Sequence, residues 1–113
     1  MTRRMYEIIA TTFDKKGRVI ASSVNFYRKS HPLMKHFAKI AGESEHKVSI
    51  HAELGAMLKC GDKPVHSILV QRYDAQGNSG LAKPCPTCQA MLKSFGVKIV
   101  RYTTSEGIKE YAN

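Results

Sequence analysis

Two cysteines three positions apart are the residues whose types and spacing most directly suggest chemistry. Cys85 and Cys88 lie in the stretch LAKPCPTCQAML at 81–92, where Pro84 and Pro86 flank the first of them. Such a C-x-x-C pair can form a disulfide, act as a redox pair, supply half of a structural zinc site or begin an open catalytic zinc site. Which of these four kinds of site can form depends on the other residues of the chain.

The cysteine count bears on the first three alternatives. The chain has 113 residues and three cysteines, the third being Cys60. An odd and low count argues against a secreted disulfide scaffold, and Cys60 alone cannot complete a four-cysteine zinc site. A thioredoxin-type pair is expected soon after the first strands of a βαβ unit, whereas this pair follows two strands, two helices and a third strand in the predicted order. An open zinc site would also need a histidine.

A histidine and a carboxylate open the predicted helix that precedes the C-x-x-C stretch. His51, Ala52 and Glu53 form H-x-E, and P-C-x-x-C follows downstream; this combination is the signature of the zinc-dependent nucleobase deaminases. The chain therefore resembles the cytidine and deoxycytidylate deaminase superfamily, which also includes tRNA adenosine deaminases and polynucleotide cytosine deaminases. The resemblance covers most of the chain, from the first predicted hairpin to the strand at 97–103. Its motif is specific to the superfamily and not to a substrate.

The resemblance implies a catalytic Zn²⁺ ion bound by His51, Cys85 and Cys88, with Glu53 as the general acid and base. Three protein ligands leave the fourth tetrahedral position to a water, whose pKa the metal lowers. Cysteines at i and i+3 project from one helical face, and a helix N-terminus favours thiolate over thiol. Glu53 would lie close to the metal without binding it, and could carry a proton from the water to the ring and then to the leaving ammonia.

The resemblance also implies contacts with the substrate. Asn25, at the end of the second predicted strand, resembles the asparagine that contacts the sugar hydroxyl. By position, the backbone N–H of Ala52 would bind the ring carbonyl oxygen. The backbone carbonyl of Lys83, directly before Pro84, would accept a hydrogen bond from the amino group that is lost.

Two further side chains are candidates that also have an ordinary structural explanation. Tyr102 resembles the aromatic residue that lines the base pocket of polynucleotide deaminases, but it is equally an ordinary tyrosine near a strand end. His31 could meet a phosphate or a sugar, or it could simply precede a helix. Both are expected to contribute to substrate binding.

The hydrophobic pattern predicts a single α/β domain over residues 1–113 with the element order β-β-α-α-β-α-β. The strand-helix-strand unit at 65–103 should be a crossover between two parallel strands, so we expect a mixed sheet of about four or five strands in a two-layer or three-layer sandwich. A last short strand or helix is expected around GIKEYA at 107–112. The apolar face of the first predicted helix consists of Leu33, His36, Phe37 and Ile40, and that of the second consists of Leu54, Met57 and Leu58.

The charge balance of the chain is strongly basic. Lys and Arg number 18 and Asp and Glu number 9, giving a formal net charge of +9, which suits phosphate-bearing partners but also simple solubility. The N-terminal residues show no apolar run typical of a signal peptide, and no segment reaches the roughly 18 apolar residues of a membrane span. With three cysteines and no disulfide pattern, we expect a cytoplasmic protein with no membrane partner.

We therefore expect a hydrolytic zinc deaminase that converts cytidine, deoxycytidine or a monophosphate of either to the uracil analogue. One alternative is a polynucleotide deaminase acting on cytosine or adenine in single-stranded DNA or RNA, which the charge and Tyr102 favour. Another is a non-catalytic nucleotide-binding module that keeps zinc for stability, against which Glu53 argues. The segment after Thr103 is short for the superfamily and leaves surface to cover, so a homo-oligomer, most simply a dimer, is expected.

Overall fold

The computed structural model describes residues 7–25, 32–42 and 51–113. Within these ranges the strands are β1 (Glu7–Phe13), β2 (Val19–Val24), β3 (Ser67–Tyr73), β4 (Ile99–Thr104) and β5 (Gly107–Ala112), and the helices are α1 (Pro32–Ile40), α2 (Ala52–Cys60) and α3 (Pro86–Ser94). The predicted α/β class and element order are confirmed, and the GIKEYA segment forms a fifth strand. None of the helices in these ranges combines the length and the apolar character that crossing a membrane requires.

The five strands form one mixed sheet in the order β2-β1-β3-β4-β5. β1 pairs antiparallel with β2 and with β3, β4 pairs antiparallel with β5, and β3 and β4 are parallel. α3 lies in the connection between the two parallel strands, as expected. Ile8 is opposite Arg72 at one end of the β1–β3 ladder, and Phe13 is opposite Ser67 at the other. These two ends of the sheet carry different surfaces.

The apolar core lies on one face of the sheet. Ala10, Ile68 and Val100 are fully buried on that face. They belong to one cluster with buried side chains of all three helices, namely Met34, Phe37, Leu54, Met57, Met91 and Leu92. Because the helices share this single core, the described residues form two layers, which removal of apolar surface from water stabilises. On the opposite face Ile9, Leu69 and Ile99 are only partly buried.

The buried face of α1 differs from the predicted one. Met34, Phe37 and Ala38 are buried, whereas Ile40 is 61% exposed and His36 is exposed. Both possible stripes have helical spacing and share Phe37, so the period of the sequence does not choose between them. Packing of α1 against α3 makes the choice.

α2 is buried around most of its circumference rather than along a single stripe. Leu54 and Met57 are buried as predicted, but Leu58 is 42% exposed. The small residues Gly55 and Ala56 are buried as well, because α2 packs against β1 and β2 and also contacts α3. The polar residues at the start of α2 are therefore drawn into the interior.

Candidate metal centre

His51, Cys85 and Cys88 come together where the amino ends of α2 and α3 meet. One possible ligand atom from each residue lies within 4.8 Å of the others. His51 Nδ1 is 3.2 Å from Cys88 Sγ and 3.6 Å from Cys85 Sγ. An imidazole nitrogen and two cysteine sulfurs at these separations can bind one metal ion. The residues that the motif predicts as ligands thus form a candidate metal centre.

The starts of the two helices position these ligands. His51 is the N-cap residue of α2 and Cys85 is that of α3; both have extended backbone, with ψ angles of 157° and 166°, and neither side chain caps its helix with a hydrogen bond. Pro86 follows at the start of α3, where a missing N–H breaks no helical hydrogen bond. Cys88 lies one helical turn after Cys85, so both thiols reach the same side of α3.

Gln89 supports the turn that carries Cys85. Its side-chain Nε2 donates a hydrogen bond of 2.8 Å to the carbonyl oxygen of Pro84. Its backbone N–H donates another, also 2.8 Å long, to the carbonyl oxygen of Cys85. No motif in the sequence points to this residue, because its role depends on the local fold of the turn.

The two thiols of the centre differ in proton affinity. A hydrogen bond from Cys88 lowers the pKa of Cys85 to about 4 despite its partial burial, and His51 contributes in the same direction. The same hydrogen bond, followed by burial, raises the pKa of Cys88 well above its ordinary value. At neutral pH the metal-free pair therefore holds one proton, and this proton is on Cys88. A metal ion that binds both sulfurs must displace this proton.

Glu53 is buried beside the centre, in the first turn of α2, with 5% of its surface exposed. Burial raises the pKa of its carboxyl, while its own backbone N–H and the nearby His51 act in the opposite direction. A bound cation would also lower this pKa. A carboxyl under such opposing influences can exchange a proton with a reacting group, as general acid–base catalysis requires.

A cavity of about 220 Å³ lies beside the centre. The residues singled out by the sequence that line it are Asn25, His51, Ala52, Glu53, Lys83 and Cys85. Pro84 is buried between Lys83 and Cys85. The fold therefore brings most of the expected substrate contacts to one place, and their individual binding roles stay predictions.

Tyr102 and His31 are not part of this grouping. Among the described residues, Tyr102 is absent from the cavity lining; it packs against the edge of the core, with its ring centroid 6.2 Å from that of Tyr111. His31 lies outside the described residues. The proposed contact of each with a substrate stays a prediction.

Arg72 lines the cavity although no motif points to it. Its Nη1 donates a hydrogen bond of 3.4 Å to the carbonyl oxygen of Leu81. Its aliphatic stem passes Gly80, where an added Cβ would lie 3.7 Å from Arg72 Cδ. The alternation of Ile68, Val70 and Arg72 along β3 places all three on one face, and this pattern is the signal that could have identified Arg72.

A scan against protein-family models and a search of curated proteins returned no match. The resemblance to the deaminase superfamily therefore rests on the H-x-E and P-C-x-x-C motifs and on the convergence of His51, Cys85 and Cys88. That convergence supports a metal-binding centre, and the reaction is a separate question.

Cys60 is separate from this centre. It is buried, with 4% of its surface exposed, whereas its place at the end of a helix suggests only partial burial. Its Sγ lies 3.0 Å from Thr12 Oγ1 and donates a hydrogen bond of 3.2 Å to the carbonyl oxygen of Ala56. These contacts place Cys60 where α2 packs against β1, outside the metal centre. Its substitution is therefore a control for substitution of the candidate metal ligands.

We expect the substitution Cys85→Ala to abolish metal binding, because it removes one of the two sulfur ligands. Inductively coupled plasma mass spectrometry should find about one metal ion per chain in the parent protein and less than about 0.1 in this variant. Cys60→Ala removes a thiol outside the centre and should retain the metal. Full metal content in Cys85→Ala, or equal loss in both variants, would contradict the ligand assignment.

Proposed function

We propose that this chain is a zinc-dependent hydrolytic deaminase. Its substrate is cytidine, deoxycytidine or a monophosphate of either, and its products are the uracil analogue and ammonia. The observation that carries the proposal is the convergence of His51, Cys85 and Cys88 beside a small cavity that the buried Glu53 also lines.

The donor set favours zinc. Thiolates and imidazole bind Zn²⁺ tetrahedrally, with bonds of about 2.3 Å to sulfur and about 2.0 Å to nitrogen, which separates nitrogen from sulfur by about 3.5 Å. The distances from His51 Nδ1 to the two sulfurs, 3.2 and 3.6 Å, lie close to this value. A three-ligand set is typical of catalytic rather than structural zinc. When bound, zinc supplies a Lewis acid that lowers the pKa of a water at the remaining position.

Glu53 carries the protons of the proposed reaction. Water adds to the amino-bearing carbon of the ring, and Glu53 transfers the first proton of that water to the adjacent ring nitrogen. Glu53 then transfers the second proton to the amino group, so that ammonia leaves and a carbonyl remains at the carbon. The burial that raises the pKa of Glu53 supports this role. The carboxyl must hold each proton after it leaves the water and before it reaches the ring nitrogen or the amino group.

The residues that line the cavity orient the ring. Ala52 belongs to the first turn of α2, where backbone N–H groups have no acceptor within the helix, and its N–H binds the ring carbonyl oxygen. The carbonyl of Lys83, held in place before Pro84, accepts a hydrogen bond from the departing amino group. Asn25 binds a sugar hydroxyl. All three roles place the amino-bearing carbon next to the metal centre.

The size of the cavity suits a single base. Its volume of about 220 Å³ is below the roughly 300–1,000 Å³ of pockets for drug-sized ligands, and one base enters such a pocket from a free nucleoside, a nucleotide or a single strand alike. Arg72 and Lys83 also line it, and Glu53 is the single acid among the described lining residues. Two cations suit a substrate that carries a phosphate.

Glu53→Gln should abolish deamination and leave the metal bound. Gln keeps the shape of the buried side chain but cannot carry a proton, so turnover should fall by at least about 10²–10⁴-fold. The assay is mass spectrometry of a mixture of cytidine, deoxycytidine, their monophosphates, adenosine and a single-stranded oligonucleotide that contains cytosine. Glu106→Gln, at an exposed position, is the matched control and should retain full turnover.

The outcome of this assay also discriminates among the alternatives. Conversion of the oligonucleotide alone would replace the proposal by a polynucleotide deaminase. Metal binding without turnover of any compound would support a non-catalytic nucleotide-binding module. Full turnover by Glu53→Gln would contradict the proposed mechanism.

We also propose that the chain forms a homodimer in the cytoplasm. The partly exposed Ile9, Leu69 and Ile99 on the open face of the sheet support a further contact surface, and the free state of all three cysteines suits a reducing compartment. Sedimentation velocity should find a species of twice the 12.6 kDa chain mass. A single species of chain mass at all concentrations would contradict the dimer.

A further inference from the structure

A second cavity, of about 1020 Å³, lies at the end of the sheet opposite the metal centre. Three connections form it, together with Ile20 of β2: residues 14–18 between β1 and β2, residues 63–66 before β3 and residues 95–98 before β4. Strands rise about 3.3 Å per residue, so His66 in this lining and Arg72 in the cavity beside the metal centre are roughly 20 Å apart along the chain direction of β3. We call this surface the basic groove.

The basic groove concentrates positive charge. Its lining cations are Lys15, Lys16, Arg18, Lys63 and Lys98. Asp14 is the single acid among the described lining residues, and its carboxylate accepts hydrogen bonds of 2.9 Å from the backbone N–H groups of Lys16 and Arg18 and from Arg18 Nε. Asp14 therefore acts within its own turn and offsets the charge of Arg18. Four lysines remain without a neighbouring acid in the lining, so the groove attracts anions.

The backbone of the basic groove is held by hydrogen bonds between its three connections. The N–H of His66 donates to the carbonyl oxygen of Phe13, and the N–H of Lys98 donates to the carbonyl oxygen of His66, both at 2.9 Å. Within the β1–β2 turn, the N–H of Asp14 donates to the carbonyl oxygen of Arg18, also at 2.9 Å. The lysines therefore extend from a connected framework, which reduces the ordering cost of binding.

An exposed aromatic ring lines the same groove as these cations. Phe95 lines the groove directly after α3, and 44% of its surface is exposed. Its ring also packs against Phe37, with the centroids 6.4 Å apart. An aromatic ring in a groove lined by lysines can stack on a base while the lysines contact phosphates, and this combination is typical of single-strand binding surfaces.

We propose that the basic groove binds single-stranded nucleic acid. Its lysines contact the sugar-phosphate backbone and Phe95 stacks on a base. The concave shape of the groove suits a flexible strand better than a flat bilayer surface. This binding does not depend on the metal centre or on the proposed reaction, because the groove lies at the other end of the sheet.

The test is fluorescence anisotropy with the metal-loaded full chain and a labelled mixed-sequence single strand of about twelve nucleotides. The double variant Lys63→Glu/Lys98→Glu should bind at least about tenfold more weakly than the parent. The slope of log K against the logarithm of the salt concentration should be less negative by about 1.4 than that of the parent. This is about 0.7 for each of the two phosphates that the variant no longer neutralises. The matched control Lys93→Glu/Lys109→Glu changes the net charge equally at exposed positions outside the groove. It should bind less than about threefold more weakly than the parent.

Equal losses of affinity in the two double variants would overturn the proposal, because they would show attraction by net charge alone. Absence of binding by the parent, or equal competition by polyglutamate, would overturn it as well. Phe95→Leu keeps an apolar side chain and removes the ring, so it should weaken binding at least about fivefold with an unchanged salt slope. Unchanged affinity in that variant would contradict the stacking contact. Glu53→Gln should bind the strand as the parent does, whatever its effect on deamination.

Discussion

The meeting of the amino ends of α2 and α3 is the constraint on which the candidate site depends. His51 starts one helix and Cys85 starts the other, and both helices are anchored in the same apolar core through residues such as Leu54 and Met91. The core therefore sets the distance between an imidazole and two thiols that lie far apart in the sequence. The hydrogen bond between the two thiols lowers the pKa of Cys85 and, together with burial, raises that of Cys88, while burial raises the pKa of Glu53. A divalent cation would relieve this arrangement by taking the place of the shared proton.

The sheet separates two surfaces with different chemistry. At one end, Arg72 and the start of α2 border a small cavity with a buried carboxyl. At the other end, three hydrogen-bonded connections present lysines around a larger groove. Five cations and one acid of the described residues line this groove. The proposed small-molecule reaction and the proposed polyanion-binding surface are compatible with each other because the sheet keeps the two sites apart.

The sequence predicts the candidate metal ligands and most of the secondary-structure elements because both depend on short-range patterns. H-x-E and P-C-x-x-C are local motifs, and the apolar alternation of the strands has a fixed period of two. The buried face of α1 could not be predicted, because two stripes that share Phe37 fit the helical period and only α3 decides between them. The alternation along β3 indicates the face on which Arg72 lies, but only the tertiary fold brings that face to the cavity. The basic groove could not be predicted for the same reason, because its residues come from separate segments of the chain.

X-ray absorption spectroscopy at the zinc edge, on protein purified without added metal, tests whether the chain holds zinc in an open site of one imidazole and two thiolates. Such a site should show two sulfur neighbours at about 2.3 Å and two nitrogen or oxygen neighbours at about 2.0 Å, one of them exchangeable. This result would establish a zinc site with two cysteine sulfurs, as a centre of His51, Cys85, Cys88 and a water requires. A shell of four sulfurs, or a metal without sulfur neighbours, would contradict it.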